Sequence, residues 1–145
     1  MTVYWDSSCL VKLYCQERDS DVYLNFLNKQ EGLIVTSSLA FSELAFAFQQ
    51  KEIRGELKKG GAKILISHLH DDLKEGILTL LPLGSDVIEE SIRIGALCYQ
   101  QTDPFFLRTL DSLHLATAVV FKQKAIMTAD TRMKEGAKRI GLKLL

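Results

Sequence analysis

The sequence predicts an α/β fold in which a parallel sheet of about five strands is covered by helices on both faces. Short, β-prone apolar runs alternate along the chain with longer segments whose apolar residues recur every three or four positions. This alternation favours β–α–β units, in which consecutive strands run parallel and the helices cover the sheet. At 145 residues the chain has the length of one domain, spanning 1–145, and it shows no internal repeat or linker.

Five short apolar runs predict the strands of this sheet. The first run stops at Asp6, the second gives way to Ser37-Ser38, and the third is closed by Pro82, so each ends at a residue typical of turns or caps. The predicted strands are Val3–Trp5, Leu33–Thr36, Ile77–Leu81, Ala125–Thr128 and Leu142–Leu145.

Helical spacing of apolar residues, together with capping residues, predicts seven helices. The polar trio 6–8 suits the start of the first helix, Ser37-Ser38 suits the start of the third, and Gly60-Gly61 bends or interrupts the fourth. The predicted helices are, in order, one after residues 6–8, Asp19–Lys29, one after residues 37–38, Gly55–Asp72, one after Ser85-Asp86, one opening at Asp111, and Thr131–Arg139.

Composition and charge narrow the function classes. Lys plus Arg equals Asp plus Glu, at 18 each, so no overall positive field indicates nucleic-acid binding, and any basic surface must be a local patch. Two such clusters occur, at 51–63 and at 132–139. The segment from Met1 to Asp6 resembles a strand rather than a secretory leader, no run reaches the roughly 20 apolar residues of a membrane helix, and the three cysteines suit buried thiols. We therefore expect a cytoplasmic protein with no membrane partner.

Four carboxylates, Asp6, Glu43, Asp111 and Asp130, stand where a strand ends or a helix begins. In a parallel α/β sheet such positions converge at the carboxyl ends of the strands, where ligands bind. Two carboxylates about 4 Å apart repel by roughly 4 kcal/mol at an effective dielectric near 20, so a close quartet needs protonation or a divalent cation. Oxygen ligands suit Mg²⁺ or Mn²⁺, and the set therefore predicts a metal-dependent hydrolase.

Each acid also has an ordinary structural explanation. Asp6 and Asp111 could be helix N-caps, which is the commoner role of a lone Asp at a strand-to-helix junction. Glu43 is the hardest to explain in this way, because it lies on a helix rich in Phe and Ala, where an unpaired carboxylate is costly. Asp130 completes a pattern of acids at strand ends. The four together favour a metal site over four unrelated caps.

Five further residues could support the acids. Ser7, Ser8 and Thr128 are either hydrogen-bond donors to the acids or simple caps and turn formers. Arg108 is the cation closest in sequence to the proposed site. His114 follows the third acid by about one helical turn, and because no second His or Cys joins it, a hydrogen-bonded imidazole that braces the helix is favoured over a zinc ligand.

The strings around these acids resemble the PIN-domain family, and especially the VapC-like toxins of toxin–antitoxin pairs. The matching strings are VYWDSS at 3–8, SEL at 42–44, LRTLDSLHLATA at 107–118 and TAD at 128–130. The string at 107–118 is the most specific, and the resemblance runs nearly end to end. Ser112 is a small departure, since the family often has Ala there.

The resemblance implies a PIN-like three-layer α/β/α sandwich and a Mg²⁺- or Mn²⁺-dependent endoribonuclease. It implies that Asp6, Glu43, Asp111 and Asp130 hold one or two ions, that RNA is cut to leave 3′-hydroxyl and 5′-phosphate ends, and that the chain forms a homodimer and has a cognate antitoxin. The residues fit this chemistry independently, because a metal can activate and orient a water without any nucleophilic side chain.

Two alternatives remain open from the sequence. A receiver-like phosphoacceptor also gathers acids and Mg²⁺ at strand ends, although Asp6 is a single acid and no Lys ends a late strand. The other alternative is a PIN-like module that binds RNA or protein but has lost its activity, against which the presence of all four acids argues.

Overall fold

The computed structural model describes residues 2–145, so Met1, expected at the start of the first strand, lies outside the described residues. Five strands and seven helices alternate along this range. The strands are β1 (Val3–Trp5), β2 (Ile34–Ser37), β3 (Leu78–Leu81), β4 (Ala125–Met127) and β5 (Lys143–Leu144). The helices are α1 (Ser7–Tyr14), α2 (Ser20–Lys29), α3 (Ser38–Ile53), α4 (Gly61–Lys74), α5 (Ser85–Tyr99), α6 (Thr109–Val120) and α7 (Thr131–Arg139).

All strands pair in parallel, in the order β3-β2-β1-β4-β5, which confirms the predicted sheet. β1 is central, and Trp5 lies opposite Met127 on β4. Side chains alternate between the two faces of the sheet, as the strand period requires. Trp5 and Met127 therefore pack with α1 to α4 on one face, whereas Tyr4 and Ile126 pack with α5 to α7 on the other. The result is a three-layer α/β/α sandwich.

The starts of α4 and α5 differ from the prediction. α4 begins at Gly61 rather than Gly55, because Gly60 adopts a φ of +85°, a left-handed conformation that separates the turn at 55–60 from the helix. α5 begins at Ser85 itself, with Gly84 in the capping position and no side-chain cap. The strand ends shift by one residue or so, as expected for elements this short.

Apolar residues of α3 and α4 contribute to the core on one face of the sheet. Leu44, Phe48 and Leu69 are fully buried, whereas Ile64 on α4 is 58% exposed. The three cysteines are buried and unpaired. Within residues 2–145, no helix combines the length and apolar character needed to cross a bilayer.

Candidate active site

The candidate site lies where the chain changes direction across the sheet. From β1 the chain continues to β2 on one side, and from β4 it continues to β5 on the other. The carboxyl ends of two neighbouring parallel strands whose connections diverge leave a crevice, which is the usual ligand position in such folds. Asp6 follows β1 directly and Thr128 follows β4 directly, so both residues lie at this crevice.

Asp6 is held by four hydrogen bonds and is 2% exposed. Its Oδ1 accepts from the backbone N–H groups of Ser8 (3.1 Å) and Cys9 (3.3 Å), which makes Asp6 the N-cap of α1, and from the Ser8 hydroxyl (2.6 Å). Its Oδ2 accepts from the Thr128 hydroxyl at 2.7 Å. The capping role and a place in the site therefore coexist in one residue.

Ser8 and Thr128 tie the ends of β1 and β4 together. The Ser8 hydroxyl accepts from the N–H of Ala129 at 2.9 Å, and the Thr128 hydroxyl accepts from the N–H of Asp130 at 3.0 Å. The two hydroxyl oxygens are 3.3 Å apart. Both residues therefore position acids, as the sequence allowed, whereas Ser7 makes no side-chain hydrogen bond within the described residues.

Burial raises the pKa of the Asp6 carboxyl, although the hydroxyls of Ser8 and Thr128 oppose the shift. The buried thiol of Cys9 beside it has a raised pKa for the same reason. A carboxylate kept in this environment is destabilising in its charged form unless a cation accompanies it. The charged form of Asp6 therefore needs a compensating cation.

We expect Asp6→Asn to raise the thermal stability of the metal-free protein. Asn retains a carbonyl oxygen for the cap of α1 and removes the desolvated charge. Because the folded pKa is raised, the folded state holds its proton to higher pH than the unfolded state. The destabilisation of the wild-type folded state therefore grows as pH rises above the usual carboxyl pKa of 3.8, and it persists above the pKa of Asp6 in the folded state.

Thermal unfolding in EDTA at several pH values measures this difference. The melting-temperature gap between variant and wild type should widen as pH rises through that range, with about 2–4 °C for each kcal/mol in a chain of this size. A lower melting temperature for Asp6→Asn at neutral pH would show that capping, rather than charge, dominates at this position.

Asp111 and Asp130 are brought together by one guanidinium. Arg108 Nε donates to Asp111 Oδ2 at 2.8 Å and its Nη2 donates to Asp111 Oδ1 at 3.2 Å. The same Nη2 donates to Asp130 Oδ2 at 3.4 Å.

Asp111 is the third residue of α6, whose capping position is Arg108, so the expected opening of the helix at Asp111 and its N-cap alternative are both wrong. Asp130 caps α7 through the N–H groups of Arg132 and Met133.

Glu43 belongs to a chain of hydrogen bonds that runs through His114 to Tyr4, which we call the relay. Its Oε1 lies 2.5 Å from His114 Nε2, and His114 Nδ1 lies 2.6 Å from the Tyr4 hydroxyl. A carboxylate only accepts hydrogen bonds, so the Nε2–H group of His114 donates to Glu43. Burial raises the pKa of Tyr4, so its hydroxyl stays protonated and donates to Nδ1 of His114. This is the bracing role favoured for His114 from the sequence, with Glu43 as the residue braced.

Tyr4 is the site residue that sequence reasoning missed. The sequence identifies it only as part of the first strand, where it lies fully buried. The signal was available, because a buried tyrosine hydroxyl usually needs a hydrogen-bond partner, and Tyr4 lies two residues before Asp6.

The donor chemistry fits a hard divalent ion, since every acid offers carboxylate oxygens and the neighbouring Ser8 and Thr128 offer hydroxyls. The spacing is more open than the quartet that the sequence suggested. Among residues 2–145, no three His, Cys, Asp or Glu side chains lie near enough to share one ion. Asp111 and Asp130 are instead bridged by Arg108, and Glu43 is paired with His114.

Each of the two basic clusters contains both paired and unpaired cations. Lys51 is paired with Glu17 and Glu56, and Arg54 with Glu56. On α7, Arg139 is paired with Glu135, whereas Arg132, Lys134 and Lys138 form no ion pair within residues 2–145. Lys58, Lys59 and Lys63 of the first cluster also form no ion pair within those residues. The second cluster is the one that lies on the helix capped by Asp130.

Comparisons with known proteins identify relatives of this chain. The family model of the PIN domain matches residues 3–139. The chain is 31% identical to "Ribonuclease VapC46" of Mycobacterium tuberculosis over 145 residues, covering 99% of this chain and 95% of that protein. It is 29% identical to "Ribonuclease VapC47" of the same species over 144 residues, covering 96% and 92%.

Two solved structures share the fold. A toxin–antitoxin complex from Klebsiella pneumoniae gives a TM-score of 0.67 at 14% identity, covering all of this chain and 96% of the matched one. The Mycobacterium tuberculosis toxin VapC20, described as cleaving the sarcin–ricin loop, gives 0.65 at 10% identity, covering 92% and 94%. From the family match over nearly its whole length, together with these relatives, we conclude that the chain belongs to the PIN domain family.

Proposed function

We propose that this protein is a Mg²⁺- or Mn²⁺-dependent endoribonuclease and the toxin of a toxin–antitoxin pair. The observation that carries the proposal is the group of acids at the crevice between β1 and β4, where Asp6 is anchored by Thr128 and Asp130 is linked to Asp111. The curated relatives are ribonucleases by name, and PIN membership disfavours the receiver-like alternative.

In this proposal Asp6, Asp111 and Asp130 hold the ion or ions directly or through water, and Glu43 contributes from the α3 side. A bound Mg²⁺ or Mn²⁺ would supply a water of lowered pKa and would neutralise negative charge on the phosphodiester. The protein's own groups fix the acids: Ser8 and Thr128 orient Asp6, and His114 orients Glu43.

The cations on α7 supply the positive charge that would contact the phosphates of the RNA backbone. Arg132 and Lys138 are exposed on the helix that Asp130 caps, so they can meet phosphates on either side of the scissile bond. Since the chain has no net charge, this local patch would carry the electrostatic attraction, and binding should weaken as salt rises.

Cleavage of labelled single-stranded and structured RNA in Mg²⁺, Mn²⁺ or EDTA tests the proposal. We expect cutting with either ion, none in EDTA, recovery when Mg²⁺ is restored, and products with 5′-phosphate and 3′-hydroxyl ends. Cutting that persists unchanged in EDTA would contradict the metal-dependent mechanism. Tight RNA binding without cutting in any metal would favour the inactive binding module instead.

We also propose a cognate antitoxin and a homodimer as partners. The antitoxin is supported by the toxin–antitoxin complex among the structures of the same fold. A set of exposed apolar residues on α5, in the loop after it and at the start of α6 supports association with a second copy. It comprises Ile88, Ile92, Tyr99, Phe106 and Leu110.

A further inference from the structure

Arg108 stands in an unusual position for an ordinary surface cation. It occupies the N-cap position of α6, where the helix dipole disfavours positive charge, and its side chain is 52% exposed. It nevertheless donates to two acids that are 19 residues apart in sequence and come from different elements. Asp111 belongs to α6, whereas Asp130 follows β4.

Arg93 on α5 shows what an ordinary pair of this kind looks like. It donates through Nε and Nη2 to Glu90, three residues earlier, at 2.8 and 2.5 Å, and it is 58% exposed. The exposure and the two-point geometry match those of Arg108, but Arg93 contacts a single carboxylate. The second acid is therefore what sets Arg108 apart.

The guanidinium of Arg108 lies where a divalent ion would have to bind. An ion shared by Asp111 and Asp130 needs the same carboxylate oxygens that now accept from Nε and Nη2. Two cations in that space would repel each other strongly. Because Arg108 is half exposed, its pairing is weakly held and its long side chain can swing into solvent.

We propose that Arg108 is a displaceable counter-ion, which holds Asp111 and Asp130 together in the metal-free protein and leaves them when a divalent ion binds. The site is then occupied either by Arg108 or by the metal ion. The arginine thereby raises the metal concentration at which the site fills. The arrangement also accounts for the open spacing of the acids, since they are arranged around a guanidinium rather than around an ion. This inference rests on the proposed metal-dependent function.

A Mn²⁺ binding measurement tests the proposal in four proteins. The electron paramagnetic resonance signal of free Mn²⁺ reports how much ion each purified full chain binds. The four proteins are wild type, Arg108→Gln, the matched control Arg93→Gln, and Asp111→Asn. We expect Arg108→Gln to bind Mn²⁺ about three- to tenfold more tightly than wild type, because the competing pair is gone. Arg93→Gln should bind as wild type does, and Asp111→Asn should lose the binding.

A second measurement uses the unmodified protein and does not depend on the folding of a variant. The Nε–H resonance of Arg108 in ¹⁵N-labelled wild type should move to the position of a solvated guanidinium as Mg²⁺ is added, while that of Arg93 stays fixed. Equal or weaker Mn²⁺ affinity in Arg108→Gln, or an Arg108 resonance indifferent to saturating Mg²⁺, would overturn the counter-ion role and leave the metal site standing. Absence of ion binding in every protein, or binding that Asp111→Asn retains, would overturn the metal assignment as well.

Discussion

Replacing Asp111 by asparagine is expected to reduce RNA cleavage by at least about 10²-fold, the size of effect seen when one main electrostatic group is removed from an active site. The side chain keeps its shape but loses the charge that would hold the ion. Asp111 is 7% exposed, and Arg108 is its direct partner, so little else depends on the lost charge. Single-turnover cleavage in saturating Mg²⁺, with circular dichroism to confirm folding, measures the loss.

Asp103→Asn is the matched control for this change. Asp103 lies in the loop between α5 and α6, its side chain is 96% exposed, and it is also paired with an arginine, Arg139 at 3.5 Å. The substitution is chemically identical and removes the same charge from the chain. Activity should stay near that of wild type. If Asp103→Asn lowered cleavage as much as Asp111→Asn, the effect would come from overall charge and not from the proposed site.

Replacing His114 by alanine is expected to lower the free energy of unfolding by about 3 kcal/mol. The change removes the hydrogen bond between the imidazole and the buried hydroxyl of Tyr4, which costs about 1–3 kcal/mol, and the lost imidazole adds a cavity beneath α6. Glu43 also loses its Nε2 partner and becomes free to reorient. Urea unfolding in EDTA measures the stability, and cleavage in Mg²⁺ should fall together with the placement of Glu43.

Two comparisons isolate the relay. His68→Ala, on the exposed face of α4, removes a histidine that takes no part in the relay and should cost little. Tyr4→Phe removes only the hydroxyl, so the double variant Tyr4→Phe with His114→Ala should be less destabilised than the sum of the two single changes. Strict additivity would mean that Tyr4 and His114 are not coupled.

Much of the fold was predictable because strand ends and helix caps are local features. The run Val3–Trp5 followed by a capping Asp predicted β1 and the start of α1, and the span Thr131–Arg139 predicted α7 in full. The register that sets Trp5 beside Met127 was not predictable from such local features. The start of α4 was predicted too early, at Gly55, because the apolar spacing continues through the turn at 55–60. The backbone conformation of Gly60, which separates this turn from the helix, cannot be read from that spacing.

The candidate site was predictable as a set of acids but not as an arrangement. Spacing along the chain indicated that Asp6, Asp111 and Asp130 meet at one edge, since parallel strands bring their carboxyl ends together. It could not indicate that Arg108 bridges two of them, or that His114 reaches both Tyr4 and Glu43, because these contacts depend on side-chain rotamers across different elements. The assignment of the four acids as metal ligands stays a prediction.

The central place of β1 in the sheet has a consequence for the timing of synthesis. Asp6 directly follows β1, yet the hydroxyl that anchors its Oδ2 comes from Thr128, 122 residues later. A nascent chain halted before α6 carries Asp6 and Glu43 alone, with no partner strand on the β4 side. The candidate site therefore cannot assemble until β4 and the residues up to Asp130 have been translated.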